Sequence, residues 1–196
     1  MITLTDSMKS IINRFEERRI FCILFGAWAI MGIFYPKEFL NPAVLKATIL
    51  AMSSIAVISV GMTILLVSGG FDLSVGSVVT FSGVVAALAM KNGFPWFPAM
   101  LIALLCGAMT GMANGIMIAR ARINPFITTL GMMIFVRGLA TIAAGGNNIP
   151  ISNAAYNWFG QASLAGVQIP IWISVAIMIS GDFLLRKSRY FRQNYY

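Results

Sequence analysis

Long apolar runs separated by short polar turns leave this chain few folds. They cover residues 20–35, 43–67, 78–90, 95–119, 125–144 and 169–185. Several are longer than a helix in a water-soluble core needs, whereas about 20 apolar residues cross a ~30 Å hydrocarbon core. Composition agrees: 59% of the residues are hydrophobic and 10% charged, against about 25% charged in soluble domains. The predicted fold is an all-α, polytopic membrane protein with about six transmembrane helices. Residues 1–19 form a polar N-terminal segment, 20–185 the transmembrane domain, and 186–196 a basic end.

The first run has a competing reading as a signal peptide, because Ala27-Trp28-Ala29 resembles a cleavage box. That box lies mid-run and more runs follow, so a retained helix is preferred. The third run is short, covering about 20 Å of the core at 1.5 Å per residue. Residues before it must help to cross the membrane, which places part of 68–77 inside.

The net charge is +8. On a soluble chain this would suggest nucleic acid. Here the basic residues flank apolar runs, so membrane topology and anionic headgroups account for them. A cytoplasmic N-terminus puts residues 1–19, Arg120, Arg122 and 186–196 inside, leaving Lys37 and Lys91 outside. Histidine is absent, which removes the usual general base and the commonest metal ligand. Cys22 and Cys106 lie far apart inside apolar runs and read as small core residues. No Walker-type loop, paired carboxylates or Cys-x-x-Cys appears, so no enzyme, metal or cofactor is predicted.

The stretch Ser68-Gly69-Gly70-Phe71-Asp72-Leu73-Ser74-Val75-Gly76-Ser77 interrupts the runs. Glycines break helices, and freed backbone groups at membrane depth need partners. Asp72 has two readings. Its carboxylate can cap the helix that leaves the break, or it can act directly in substrate passage. The capping role is preferred.

Other polar positions have plainer readings. Gly107, Gly111 and Gly115 recur every four residues, so they are assigned to helix packing, with Asn114 beside them. Arg137 lies about 20 Å into the fifth run, roughly 10 Å from the depth of Asp72, which disfavours pairing. It either lines a pathway or snorkels outward. Asp182 and Arg186 have i,i+4 spacing. Tyr156, Trp158 and Phe159 sit in the polar stretch 145–168, as interfacial anchors or as contacts for an external partner.

Three blocks carry a resemblance. Gly61-Met62-Thr63 with the 68–77 stretch is similar to the membrane permease subunits of bacterial ABC-type sugar importers, in the ribose/xylose/arabinose/galactoside branch. Asn124-Pro125-Phe126-Ile127-Thr128-Thr129-Leu130-Gly131-Met132, followed by Arg137-Gly138-Leu139, resembles a second block. Asn157-Trp158-Phe159-Gly160 and 166–173 resemble the outer loop and next helix.

The resemblance implies a monosaccharide permease of the bacterial inner membrane, working by alternating access. It also implies a second permease copy, cytoplasmic ATP-binding subunits and a periplasmic sugar-binding protein. Family members continue well beyond this length, so the chain is expected to be an N-terminal portion. Expected path or break residues are Ser68, Gly69, Gly70, Asp72, Ser74, Gly76, Ser77, Asn124, Pro125 and Arg137. Two alternatives stay open: an ion-coupled secondary transporter using Asp72, and a non-transporting fragment.

Overall fold

A computed structural model of the chain describes residue 19 and residues 21–187. They fall into two compact units, one ending at Ala51 and the other beginning at Met52. Over the described residues, each of the six apolar runs folds as a helix. Among the described residues, four helices are long and apolar enough to cross a membrane, and two apolar helices are shorter.

In the first unit, α1 spans Phe21–Phe34 and a single turn, α2, spans Pro36–Phe39. Leu40 packs against Gly32 of α1. Helix α3, Pro42–Val67, begins in this unit and runs on into the second. Its start is capped by Asn41, whose Oδ1 accepts from the Ala43 N–H at 2.9 Å, with proline in the first helical position.

The second unit continues with α4 Val75–Lys91, α5 Trp96–Ala119, α6 Pro125–Ala144, α7 Ala154–Gln161 and α8 Ile169–Lys187. Helix α4 lies against both α5 and α6. Apart from Val136, the buried residues are small or polar, among them Ala86, Ala87, Ala99 and Ala140, with Ser74, Ser77, Asn114, Thr128 and Thr129. Large apolar side chains point outward, Leu104 and Ile142 among them. A water-soluble core would invert this. Lipid is as apolar as leucine, so helices associate through small residues that permit close approach.

Helices α3 and α8 meet the same way. A Cβ built on Gly181 would collide with the side chain of Val60. Between α7 and α8 stands a minimal hairpin, β1 Ser163–Leu164 against β2 Val167–Gln168. Ala165 and Gly166 turn it with φ of 54° and 80°, the sign that a type I′ turn needs at both central positions. Trp172 Nε1 donates to the Leu164 carbonyl and ties the hairpin to α8.

Helix α3 stops at the glycines. Gly69 takes φ +75° and donates to the Leu66 carbonyl, and Gly70 donates to that of Leu65. These two bonds form a Schellman motif, which satisfies carbonyls the helix end would otherwise leave open. At Gly70 space is tight instead, since a Cβ there would lie 2.7 Å from Leu65 Cδ1 and 3.3 Å from its carbonyl oxygen. Gly69→Ala is expected to destabilise the fold by about 1–2 kcal/mol through the left-handed backbone penalty. Thermal unfolding of the detergent-solubilised permease measures this.

The break is narrower than expected. Helix α4 already begins at Val75, so Gly76 and Ser77 belong to its first turn. Within the stretch 68–77, residues 68–74 lie outside regular helix.

Candidate functional site

Asp72 organises the break. Its Oδ1 accepts from both the N–H and the Oγ–H of Ser74, each at 2.6 Å. Ser74 is the residue before α4 and is fully buried. Its own side chain makes no cap bond to the helix. The carboxylate two residues upstream therefore takes the N–H of the residue before α4 and places negative charge near the helix N-terminus.

Asn114 joins this arrangement from α5. Its Nδ2 donates to Ser74 Oγ at 3.0 Å and approaches Asp72 Oδ2 at 3.4 Å. Asn114 is 4% exposed, and its Oδ1 has no hydrogen-bond partner among the described residues. Asp72, Ser74 and Asn114 thus tie the break to a helix 40 residues away in sequence.

Depth follows from helix lengths. Helix α5 has 24 residues, or about 36 Å, against a ~30 Å core. Asn114 lies about 8 Å before the end of α5, which places Asp72 toward one end of that helix and not at its middle.

A cavity of about 350 Å³ opens beside Asp72. Its walls include Ser68, Gly69, Gly70, Phe71, Asp72, Asn114, Pro125 and Thr129. Helix α6 begins here: Asn124 Oδ1 accepts from the Phe126 N–H at 2.9 Å, with Pro125 in the first turn. Gly111 and Gly115 also line this cavity, and a Cβ on either meets nothing within 4 Å. Of the three ridge glycines only Gly107 packs on another helix, against Ser82 and Val78 of α4. Gly111 and Gly115 border open space among the described residues.

Arg137 lies elsewhere. It lines a second cavity of about 250 Å³ with Thr80, Thr141, Asn147 and Asn148, at the other end of α6. Asp72 is bonded to Ser74 and Asn114 instead.

The loop aromatics divide. Phe159 stacks on Trp96 of α5, with ring centres 5.7 Å apart. Tyr156 lines a groove between α4 and α5. Of the three, Trp158, 68% exposed, presents itself outward. Asp182 and Arg186 form the i,i+4 ion pair, at 2.7 Å.

The profile of a family described as "Branched-chain amino acid transport system / permease component" matches residues 44–190. The chain belongs to this permease family. An L-arabinose ABC transporter permease protein of Azospirillum brasilense is 37% identical over 91% of this chain and 51% of its own length. A galactofuranose transporter permease protein of Escherichia coli K12 is 35% identical over 68% of this chain and 39% of its own. The ribose import permease protein of the same strain is 34% identical over 71% of this chain and 45% of its own. The chain thus spans about half the length, or less, of these curated relatives. No solved structure matches it significantly.

Membership and the apolar helices make this a multi-pass membrane permease chain. Within it, sequence reasoning found the break but missed Asn114 as its partner. The signal was present: an amide within the apolar α5 must find hydrogen bonds where water is absent.

Proposed function

We propose that this permease chain is part of the membrane subunit of an ATP-driven importer that carries a monosaccharide across a bacterial inner membrane. The observation that supports it most is the set of relatives named for sugars, aligned over two-thirds or more of the chain at 34–37% identity. The family description names branched-chain amino acids. Such a description spans a broad set, and the individual relatives are the narrower guide to the cargo.

The working unit pairs two permease copies with cytoplasmic ATP-binding subunits and a periplasmic sugar-binding protein. The N-terminus is cytoplasmic, because that orientation puts Arg120, Arg122, Arg186 and Lys187 on the inner side. The Asp72 cavity then opens toward the cytoplasm and the Arg137 cavity toward the outside. Alternating access would expose them in turn, with the relative stability of inward and outward states set by the ATP-binding partners. Trp158 is the contact offered to the binding protein, as an exposed aromatic of the kind that anchors interfaces.

Uptake of labelled L-arabinose and D-ribose by cells expressing the full-length permease with its neighbours tests this reading. ATP depletion should abolish uptake, and a protonophore that leaves ATP intact should not. Uptake that survives ATP depletion and collapses with the ion gradient would instead establish the ion-coupled alternative.

A further inference from the structure

Arg137 stands in its cavity without a counter-ion among the described residues. The second unit has two carboxylates there, and both are engaged elsewhere: Asp72 with Ser74 and Asn114, Asp182 with Arg186. An ionised side chain on a membrane helix needs a partner or a water-filled cavity, and it marks function by default. This one lies about 10 Å before the end of α6, on the wall of a cavity of about 250 Å³.

The rest of that wall suits water. Thr80 and Thr141 give their hydroxyl protons to the Gly76 and Arg137 carbonyls, at 3.0 Å each, and keep lone pairs for the cavity. Asn147 gives one amide proton to the Gly145 carbonyl and keeps the other, and Asn148 adds a second amide. The only ionisable side chain on the wall is the guanidinium, a group that stays charged in proteins. No Asp, Glu, His, Cys, Lys or Tyr lines the cavity among the described residues. It therefore lacks the acid or histidine chain that hands protons along a membrane path.

Such a cavity discriminates by charge. A fixed positive charge between low-dielectric helices repels a cation far more strongly than it would in water. A neutral solute feels no such repulsion. Arginine side chains can set electrostatic barriers of this kind in pores that pass neutral molecules.

We propose that Arg137 is the cation barrier of this cavity, keeping sodium ions and protons from following neutral cargo through the permease. The inference rests on the transport reading above and adds what the path must refuse. A long side chain could also act as a steric plug. A plug slows cations and anions alike, whereas a charge slows cations alone.

Chemical restoration of the charge tests this on the full-length permease, reconstituted in vesicles with its ATP-binding and sugar-binding partners. Arg137→Cys is made in a background whose native cysteines, Cys22 and Cys106 included, are replaced by serine. One preparation is left unmodified, or treated with a cationic or an anionic methanethiosulfonate of similar size, and mass spectrometry confirms the modification. The comparison is thus made on one folded protein. Entry of labelled sodium and labelled chloride is read with ATP and L-arabinose or D-ribose present, and a trapped pH dye reports protons. Removal of the guanidinium should raise sodium and proton entry about tenfold over the cysteine-free parent. The cationic reagent should reverse that rise without slowing chloride, and the anionic reagent should leave sodium entry high. Should Arg137→Cys fail to reconstitute, Arg137→Lys should hold sodium entry near the parent's and Arg137→Gln should raise it about tenfold. Sodium entry that ignores loss of the charge, or equal slowing of sodium and chloride by both reagents, would overturn the barrier while sugar import leaves the transport reading standing. Absence of import of either sugar by the cysteine-free parent would overturn the transport reading itself, and the barrier with it.

Discussion

Asp72→Ala is expected to lower the stability of the permease more than any other change at the break. It leaves the Ser74 N–H and Oγ–H without their shared acceptor and removes the carboxylate beside Asn114 Nδ2. Each buried donor left unpaired costs about 1–3 kcal/mol, so the loss should reach about 3–5 kcal/mol once the serine hydroxyl rotates to a weaker partner. Asp72→Asn should cost far less, about 1–2 kcal/mol. The new amide keeps an oxygen for Ser74, and Asn114 can rotate its own amide so that its Oδ1 meets the new N–H, giving up its Nδ2 bond to Ser74 Oγ. Thermal unfolding of the purified full-length permease in detergent separates the two variants. Transport separates them again, because an obligatory proton site would lose all uptake in Asp72→Asn, whereas a capping carboxylate tolerates the amide in part. Equal loss of stability in both variants would show that the charge matters more than the acceptor.

The second large effect is expected at Gly181, where α8 meets α3. A Cβ there already collides with Val60, whose β-branched side chain is stiff at χ1. Gly181→Leu must therefore push the two helices apart, and overpacking of this kind costs about 1–3 kcal/mol. In a membrane the penalty is structural as well, since small residues are what let such helices associate. Val60→Ala in the same chain should recover part of the loss by making room. Non-additivity in this double-mutant cycle, read by thermal unfolding, reports the contact directly. If Gly181→Leu alone leaves the unfolding temperature unchanged, the α3–α8 contact is not as close in the working assembly.

Much of the architecture was legible because a bilayer enforces simple rules. Every apolar run became a helix, since only hydrogen-bonded helices or closed barrels satisfy the backbone in hydrocarbon. Asn124-Pro125 read as a helix start, and the cap bond at 2.9 Å is what that pair provides. The break at Gly69-Gly70 was equally plain. Its far end was not, because Val75, Gly76 and Ser77 suit either a loop or a first helical turn, and Ser74 with Asp72 decides for the turn.

Side-chain partners across helices were beyond reach of the sequence. Gly107, Gly111 and Gly115 share one spacing and were assigned one role. Yet only Gly107 meets α4, while the other two border the cavity. Spacing fixes which face of α5 they occupy but not what stands opposite. Phe159 and Trp158 are neighbours in the chain, and the turn of α7 sends one onto Trp96 and the other outward. Asn114 was the largest omission, since its pairing with Ser74 joins residues 40 apart.

By itself the sequence determined that this protein crosses a membrane in several helices, that one glycine-rich stretch interrupts them, and which transporter family it resembles. Those properties follow from run length, backbone hydrogen bonding and local motif, all of which act over a few residues. Only the tertiary structure decided that Asp72 is held by Ser74 and Asn114, that two glycines wall a cavity, and that Arg137 belongs to a different one. These depend on how helices rotate and slide against one another, and small-residue contacts between distant segments set that.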